Sequence, residues 1–237
     1  MAGMRMAGMA YFDLERFRAA SPIPAPFPHL VVENFLRPEH HAAIDRAFPV
    51  IRQGGSFDLS TLAPGLAMNA AIEELRGTAM TEAIAEKFGV DLHGRPTTAT
   101  LRGWCRTKDG GIHTDSKDKL VTLLIYLNSG WSEETGGGCL RILRSRSDID
   151  DYATEVPARM GTLVVFPCAP NAWHGHKPFE GQRRSIQVNW VTDHKAVERT
   201  RNRHRRSALW KNLNPLGFEG QPETAAAGCL RSACPGR

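Results

Sequence analysis

Residues 161–192 read GTLVVFPCAPNAWHGHKPFEGQRRSIQVNWVT, and this stretch decides the architecture. Gly161 to Phe166 is apolar and rich in β-branched residues, and Pro167 closes it, so it reads as a strand ending in a turn. Arg183 to Trp190 alternates, with Arg183, Ser185 and Gln187 sharing one face, and reads as a strand with two unlike sides. Between the two strands stand His174 and His176, just after Trp173.

The same texture reaches back to Gly94. Short Val/Thr/Ile/Leu runs predict strands at Thr97 to Arg102, Leu120 to Leu127 and Cys139 to Leu143, separated by turns at Lys108 to Gly111 and Ser129 to Gly138. Strands of this length and spacing predict a sandwich or barrel. Ahead of them, PHLVVENFL places a short strand at Leu30 to Val32. A helix is expected to open at Pro38, with Ala42, Ile44, Ala47 and Phe48 on its inner side, and to stop at Pro49. A second helix is expected from Asn69, as N-cap, to Phe88, with Gly89 ending it. The fold class is therefore α+β, mainly β, with the N-terminal helices packed outside the sheets.

At 237 residues, 41% hydrophobic and 23% charged, the chain is of ordinary globular composition and long enough to bury a substantial core. Its longest apolar stretch, Leu120 to Leu127, is far short of the roughly 20 residues a membrane helix needs. The N-terminus meets Asp13 and Glu15 where a signal peptide would be most hydrophobic, so the expected location is the cytoplasm. Cys105, Cys139, Cys168, Cys229 and Cys234 form no CxxC pair and read as reduced thiols. Gly136 to Gly138 is followed by no GK[ST] and reads as a tight turn, not a phosphate loop. Much of the net charge of +5 lies in HKAVERTRNRHRRSALWK, residues 194–211. Without interleaved aromatics this run reads as a solvated terminal helix rather than a nucleic-acid surface.

The chemistry starts at His113-Thr114-Asp115. In an extended segment, side chains two apart share a face, so this imidazole and carboxylate can reach into one cavity. They make two thirds of the facial triad that holds non-haem Fe(II) and leaves coordination positions open. A second histidine is required, and by position alone both His174 and His176 qualify. Arg183 beside Ser185 offers a planar fork next to a hydroxyl, suited to a bidentate grip on a carboxylate.

Taken in order, HTD, LVTLLIYLNSGW, GGGCLRI, GTLVVFP, WHGH and RRSIQVNW resemble the 2-oxoglutarate and Fe(II) oxygenase superfamily, in particular its prolyl-hydroxylase-like branch, over roughly Thr97 to Thr192. The resemblance implies a double-stranded β-helix, or jelly roll. It implies His113, Asp115 and His174 as metal ligands and catalytic centre, and Arg183 as the group binding the distal carboxylate of 2-oxoglutarate, with Tyr126 and Ser185 assisting. The implied cofactors are Fe(II), 2-oxoglutarate as co-substrate and O2, with ascorbate as a candidate reductant. The implied reaction is hydroxylation of an unactivated C–H, with succinate and CO2 released. Where prolyl hydroxylases often carry a tyrosine before HxD, this chain has Leu101-Arg102-Gly103-Trp104-Cys105. Prolyl hydroxylation therefore does not follow from the resemblance, and the expected substrate is a small molecule or a peptide side chain.

The expected organisation is a flexible lead-in at 1–25, an oxygenase domain at 26–192 with its jelly-roll core at about 97–192, and a basic helical segment with a poorly ordered tail at 193–237. Arg52 to Pro64, Cys105 to Ile112 and Arg144 to Thr154 are the expected lids. Two rival readings are a non-catalytic jelly-roll binding protein with a structural metal and a basic partner-binding tail, and a zinc hydrolase. Neither needs Arg183. The sequence does not determine the oligomeric state.

Overall fold

The structure is a computed structural model and describes residues 11–132 and 137–213. Nine strands form two antiparallel sheets among the described residues. The larger sheet has the order β1-β7-β4-β9-β3-β2, built from β1 (Leu30–Val32), β2 (Phe57–Asp58), β3 (Thr97–Cys105), β4 (Lys119–Tyr126), β7 (Leu163–Pro167) and β9 (Gly181–Val191). The smaller has the order β6-β5-β8, from β5 (Leu140–Leu143), β6 (Tyr152–Val156) and β8 (His174–Gly175). Tyr126, Val164 and Phe166 of the larger sheet pack with Leu140, Ile142 and Val156 of the smaller. This is a jelly-roll arrangement with the expected helices outside and, among the described residues, no closed barrel.

The other side of the larger sheet is covered by helices, and there lies the main core. Leu101, Leu123, Ile125, Ile186, Val188 and Trp190 pack against Met68, Ile72, Leu75 and Ile84 of α3 (Leu66–Arg76) and α4 (Thr78–Phe88). The single helix expected from Asn69 to Phe88 is thus two. Gly77 is extended (φ −67, ψ 164), serving as C-cap of α3 and N-cap of α4, and the break lets both helices lie on the sheet. Asn69 is inside α3, and Gly65 is the N-cap. The Pro38 helix forms as a short 3₁₀ turn, Pro38–His40, running into α2 (His41–Ala47).

The segment expected as a lead-in is packed from Tyr11 onward. Asp13 caps α1 (Leu14–Ala19) by accepting from Arg16 N at 2.9 Å, and Phe12 and Phe17 are buried against Phe35. The signal was present in YFDLERF as an N-cap before an apolar-periodic run. Residues 1–10 and 214–237, including the tail expected to be poorly ordered, lie outside the described residues. The basic run begins α5 (His194–Leu213), where Arg199 pairs with Asp118 at 2.9 Å. No helix among the described residues is long and apolar enough to cross a membrane.

Candidate active site

The HxD segment meets β8 through a reciprocal backbone pair: His113 N donates to His174 O and His174 N to His113 O, each at 3.0 Å. Residues directly opposed in this way bring their side chains together, and the two imidazole centroids are 4.4 Å apart. Asp115, two residues on, shares the face of His113. One ligand atom from each of His113, Asp115 and His174 lies within 4.8 Å of the other two.

These three fit a divalent cation in their protonation and orientation. His113 Nδ1 is 2.8 Å from Gly111 O, and His174 Nδ1 is 2.9 Å from Ala172 O. A carbonyl only accepts, so each Nδ1 carries the proton and leaves the Nε2 lone pair for a metal. Burial, and next the neighbouring His113, hold His174 down at a pKa of about 4, so it is neutral near pH 7. Burial alone would raise Asp115, but Lys119, His174 and the hydrogen bonds from Lys119 and Thr122 outweigh it and keep the carboxyl at about 2. Lys119 Nζ stands 2.5 Å from Asp115 Oδ1, and Thr122 Oγ1 stands 2.6 Å from Oδ2. Thr122 is also 2.9 Å from Asn189 Oδ1, but its single proton goes to the charged acceptor.

Beside the triad is a cavity of about 220 Å³ between the two sheets. Its floor is the inward face of the larger sheet, where register places Arg102, Ser185 and Tyr126 in one row and Thr100, Gln187 and Leu124 in the next. Arg183 is only 4% exposed, donating from Nε to Gly138 O at 2.6 Å and from Nη2 to the Tyr126 hydroxyl at 2.9 Å. Tyr126 is fully buried, and burial raises its pKa, so it remains a neutral phenol. Ser185 lines the same cavity.

His176, the alternative third histidine, also borders the cavity but is outside the triad. Its Nδ1 lies 2.8 Å from Lys177 O, and its ring lies over Gly110, where a Cβ would come within 1.9 Å of Nε2. Gly110 also has φ +82, so both space and backbone require glycine. Arg184 points to the other side of β9 and pairs with Asp45 of α2 at 2.6 Å instead of being merely solvated. Of the expected lids, Ser56 and Gly110 border the cavity, whereas no residue of Arg144 to Thr154 does; that loop is bound to Arg141 through Asp150.

Sequence reasoning missed Lys119, Thr122 and Asn189 as the polar surround of Asp115. The signals were faint: Lys119 is four residues after Asp115 across a turn, and Asn189 continues the alternation of Arg183, Ser185 and Gln187.

Residues 104–192 match the family model described as the 2OG-Fe(II) oxygenase superfamily. The matched stretch is similar to that superfamily, as the sequence motifs implied. It contains the HxD segment, His174 and Arg183 but not Thr100 or Arg102 of the cavity floor, and that family implies Fe(II), 2-oxoglutarate and O2 as its requirements. Among solved structures, a Pseudomonas putida prolyl-4-hydroxylase aligns with 18% identity over 76% of this chain and 92% of its own, with a TM-score of 0.47. A Trichoplax adhaerens prolyl hydroxylase in complex with a hypoxia inducible factor peptide fragment aligns with 18% identity over 71% and 84%, TM-score 0.47. A Phytophthora capsici prolyl 4-hydroxylase aligns with 17% identity over 69% and 58%, TM-score 0.45. No curated protein matches the chain in sequence.

Proposed function

We propose that this protein is an Fe(II)- and 2-oxoglutarate-dependent dioxygenase that hydroxylates an unactivated C–H of a small molecule or a peptide side chain. His113, Asp115 and His174 hold the metal, and Arg183, with Tyr126 and Ser185, receives the distal carboxylate of the co-substrate. The observation that carries this reading is the conjunction, in one cavity, of a His–Asp–His donor set and a buried guanidinium braced by a buried phenol. A structural metal or a hydrolytic zinc has no use for the second half of that pair.

When bound, the metal would activate O2, one oxygen atom going to the C–H carbon as hydroxyl and the other to succinate as 2-oxoglutarate loses CO2. The chain's own part is orientation and exclusion. The backbone carbonyls of Gly111 and Ala172 fix the imidazole tautomers, and Lys119 and Thr122 hold the aspartate rotamer. Tyr126 and Gly138 lock the Arg183 fork before any ligand arrives, so little side-chain freedom is lost on binding. Ascorbate belongs to this proposal as an added reductant, and the cytoplasm as the site of action.

The deciding experiment is anaerobic titration of the Fe(II)-loaded protein with 2-oxoglutarate, following the weak visible metal-to-ligand charge-transfer band. The band is expected in the wild type and absent in Asp115→Ala. Metal binding without a band would reject the co-substrate assignment.

A further inference from the structure

The cavity holds more positive charge than the proposed chemistry uses. Arg102, Lys119 and Arg183 border it against a single carboxylate, Asp115, an excess of two positive charges among these four groups. A divalent metal and a dianionic co-substrate cancel each other, so the excess persists once both are bound. An enclosed excess of this kind favours a further anion.

Arg102 is the group placed to take it. On β3 it lies directly opposite Ser185, so it emerges on the inward face one row from Arg183. The two guanidiniums are differently occupied. Arg183 is buried, and both of its hydrogen bonds are short. Arg102 is half-buried, and its contacts are a long one of 3.4 Å to Ser56 Oγ and a weak one to the Cys105 thiol. Among the described residues neither arginine forms an ion pair with a carboxylate. Asp109, the acidic group that feels Arg102, is engaged by Arg106 at 2.9 Å. Ser56 comes from the segment leading into β2 and borders the cavity, so Arg102 sits where that segment meets the cavity.

The geometry points to a substrate carrying an oxyanion, a carboxylate or a phosphate, gripped by the Arg102 fork while its reacting C–H faces the triad. This rests on the dioxygenase reading above. The metal site and Arg183 are filled by metal and co-substrate, and Arg102 fixes the charge of the third component. A planar guanidinium with a weakly engaged edge gives two parallel hydrogen bonds to an oxyanion, which an amide or alcohol cannot reciprocate.

The test uses the full chain loaded with Mn(II) and saturated with 2-oxoglutarate, and reads paramagnetic broadening of the 31P line of inorganic phosphate and, separately, of the 13C carboxylate line of acetate. Saturable binding of at least one probe to the ternary complex is expected, weakened at least tenfold in Arg102→Gln and less in Arg102→Lys. The affinity for 2-oxoglutarate, measured without either probe, should stay within about twofold in both variants, given its separate partners. Phosphate alone assigns a phosphate-bearing substrate, and acetate alone a carboxylic acid. The inference is overturned if neither probe binds the ternary complex, if Arg102→Gln binds them as well as the wild type, or if they bind only by displacing 2-oxoglutarate. A tenfold loss of 2-oxoglutarate affinity in Arg102→Gln also overturns it, by making Arg102 part of the co-substrate grip. Failure of the wild type to bind 2-oxoglutarate at all is read before any probe is added, and it removes the dioxygenase reading itself.

Discussion

Strand β9 has two faces, and both are largely buried, yet they are built from opposite chemistry. Ile186, Val188 and Trp190 face the helices and are fully shielded, with the Trp190 Nε1–H donating to Thr81 Oγ1 at 3.2 Å. Arg183, Ser185, Gln187 and Asn189 face the other sheet, where three of the four are nearly as inaccessible, and all four are polar. Burying polar groups costs free energy unless each finds a partner, so a polar inner face is not what stability alone would select. The apolar face holds the sheet to its helices, and the polar face is free to be organised around a ligand. Substitutions on the two sides should therefore fail in different ways.

The largest effect is expected on the apolar side. Trp190→Ala removes a fully buried indole between β9 and α4 and should destabilise by about 3–5 kcal/mol, lowering Tm by roughly 10 °C. In the fraction that stays folded at low temperature, the affinity for 2-oxoglutarate should be close to wild type. Calorimetry with a parallel titration checks both. A normal Tm would mean that the helices contribute little to holding this sheet.

Arg183→Ala, seven residues away on the other side, should reverse the pattern. Losing a charged two-pronged donor weakens 2-oxoglutarate binding on the order of 10- to 100-fold. Metal affinity should be retained, because no triad residue touches Arg183. The Tyr126 hydroxyl loses its partner, so a stability loss of about 1–3 kcal/mol accompanies it. Equal losses of metal and co-substrate binding would show that the cavity collapses as a unit.

A pH titration of the metal-free protein probes the buried imidazoles beside and beyond the cavity without mutation. His174, His176 and His29 are buried, and burial depresses all three, with His174 held at about 4 and His176 at about 3. The unfolded chain takes up protons near the ordinary value of 6.5 while the folded one does not, so it binds more protons as pH falls. Their contribution is therefore complete above pH 6.5 and declines toward pH 4. Stability from urea melts should fall over that window, and a divalent metal should raise stability at its upper end and make the fall steeper, because protons compete with the metal for the folded site. A flat profile would contradict the burial of these imidazoles.

How much of this was legible follows from which interactions are local. Alternation over Arg183 to Trp190 was enough to sort the two faces, since strand period is a property of the chain itself. The break at Gly77 was not, because an isolated glycine within a helical pattern is tolerated and only the docking of α3 and α4 on one sheet makes a bend useful. The pairing of His113 with His174 joins positions far apart in the chain, and at the residue level His176 satisfied the same spacing rules. What separates them in three dimensions is β8, too short at two residues to carry a periodic signal. Lys119 and Thr122 were hidden for a similar reason: their partner Asp115 lies across a turn whose shape nothing in the local sequence dictates.

The smallest effect is expected at Arg184, and it is the sharpest check on the alternation. The pair with Asp45 is half in solvent, with side-chain exposures of 26% and 45%, and the guanidinium lies 5.1 Å from the Phe48 ring centroid. A pair of that exposure contributes about 0–1 kcal/mol, so Arg184→Ala should shift the urea midpoint only slightly. Its affinity for 2-oxoglutarate should match the wild type even though the altered residue adjoins Arg183. A one-residue slip in the register of β9 would exchange the roles of these two arginines. If Arg184→Ala were the variant that loses the co-substrate while Arg183→Ala kept it, the inward face assigned to β9, and with it the cavity floor, would be wrong.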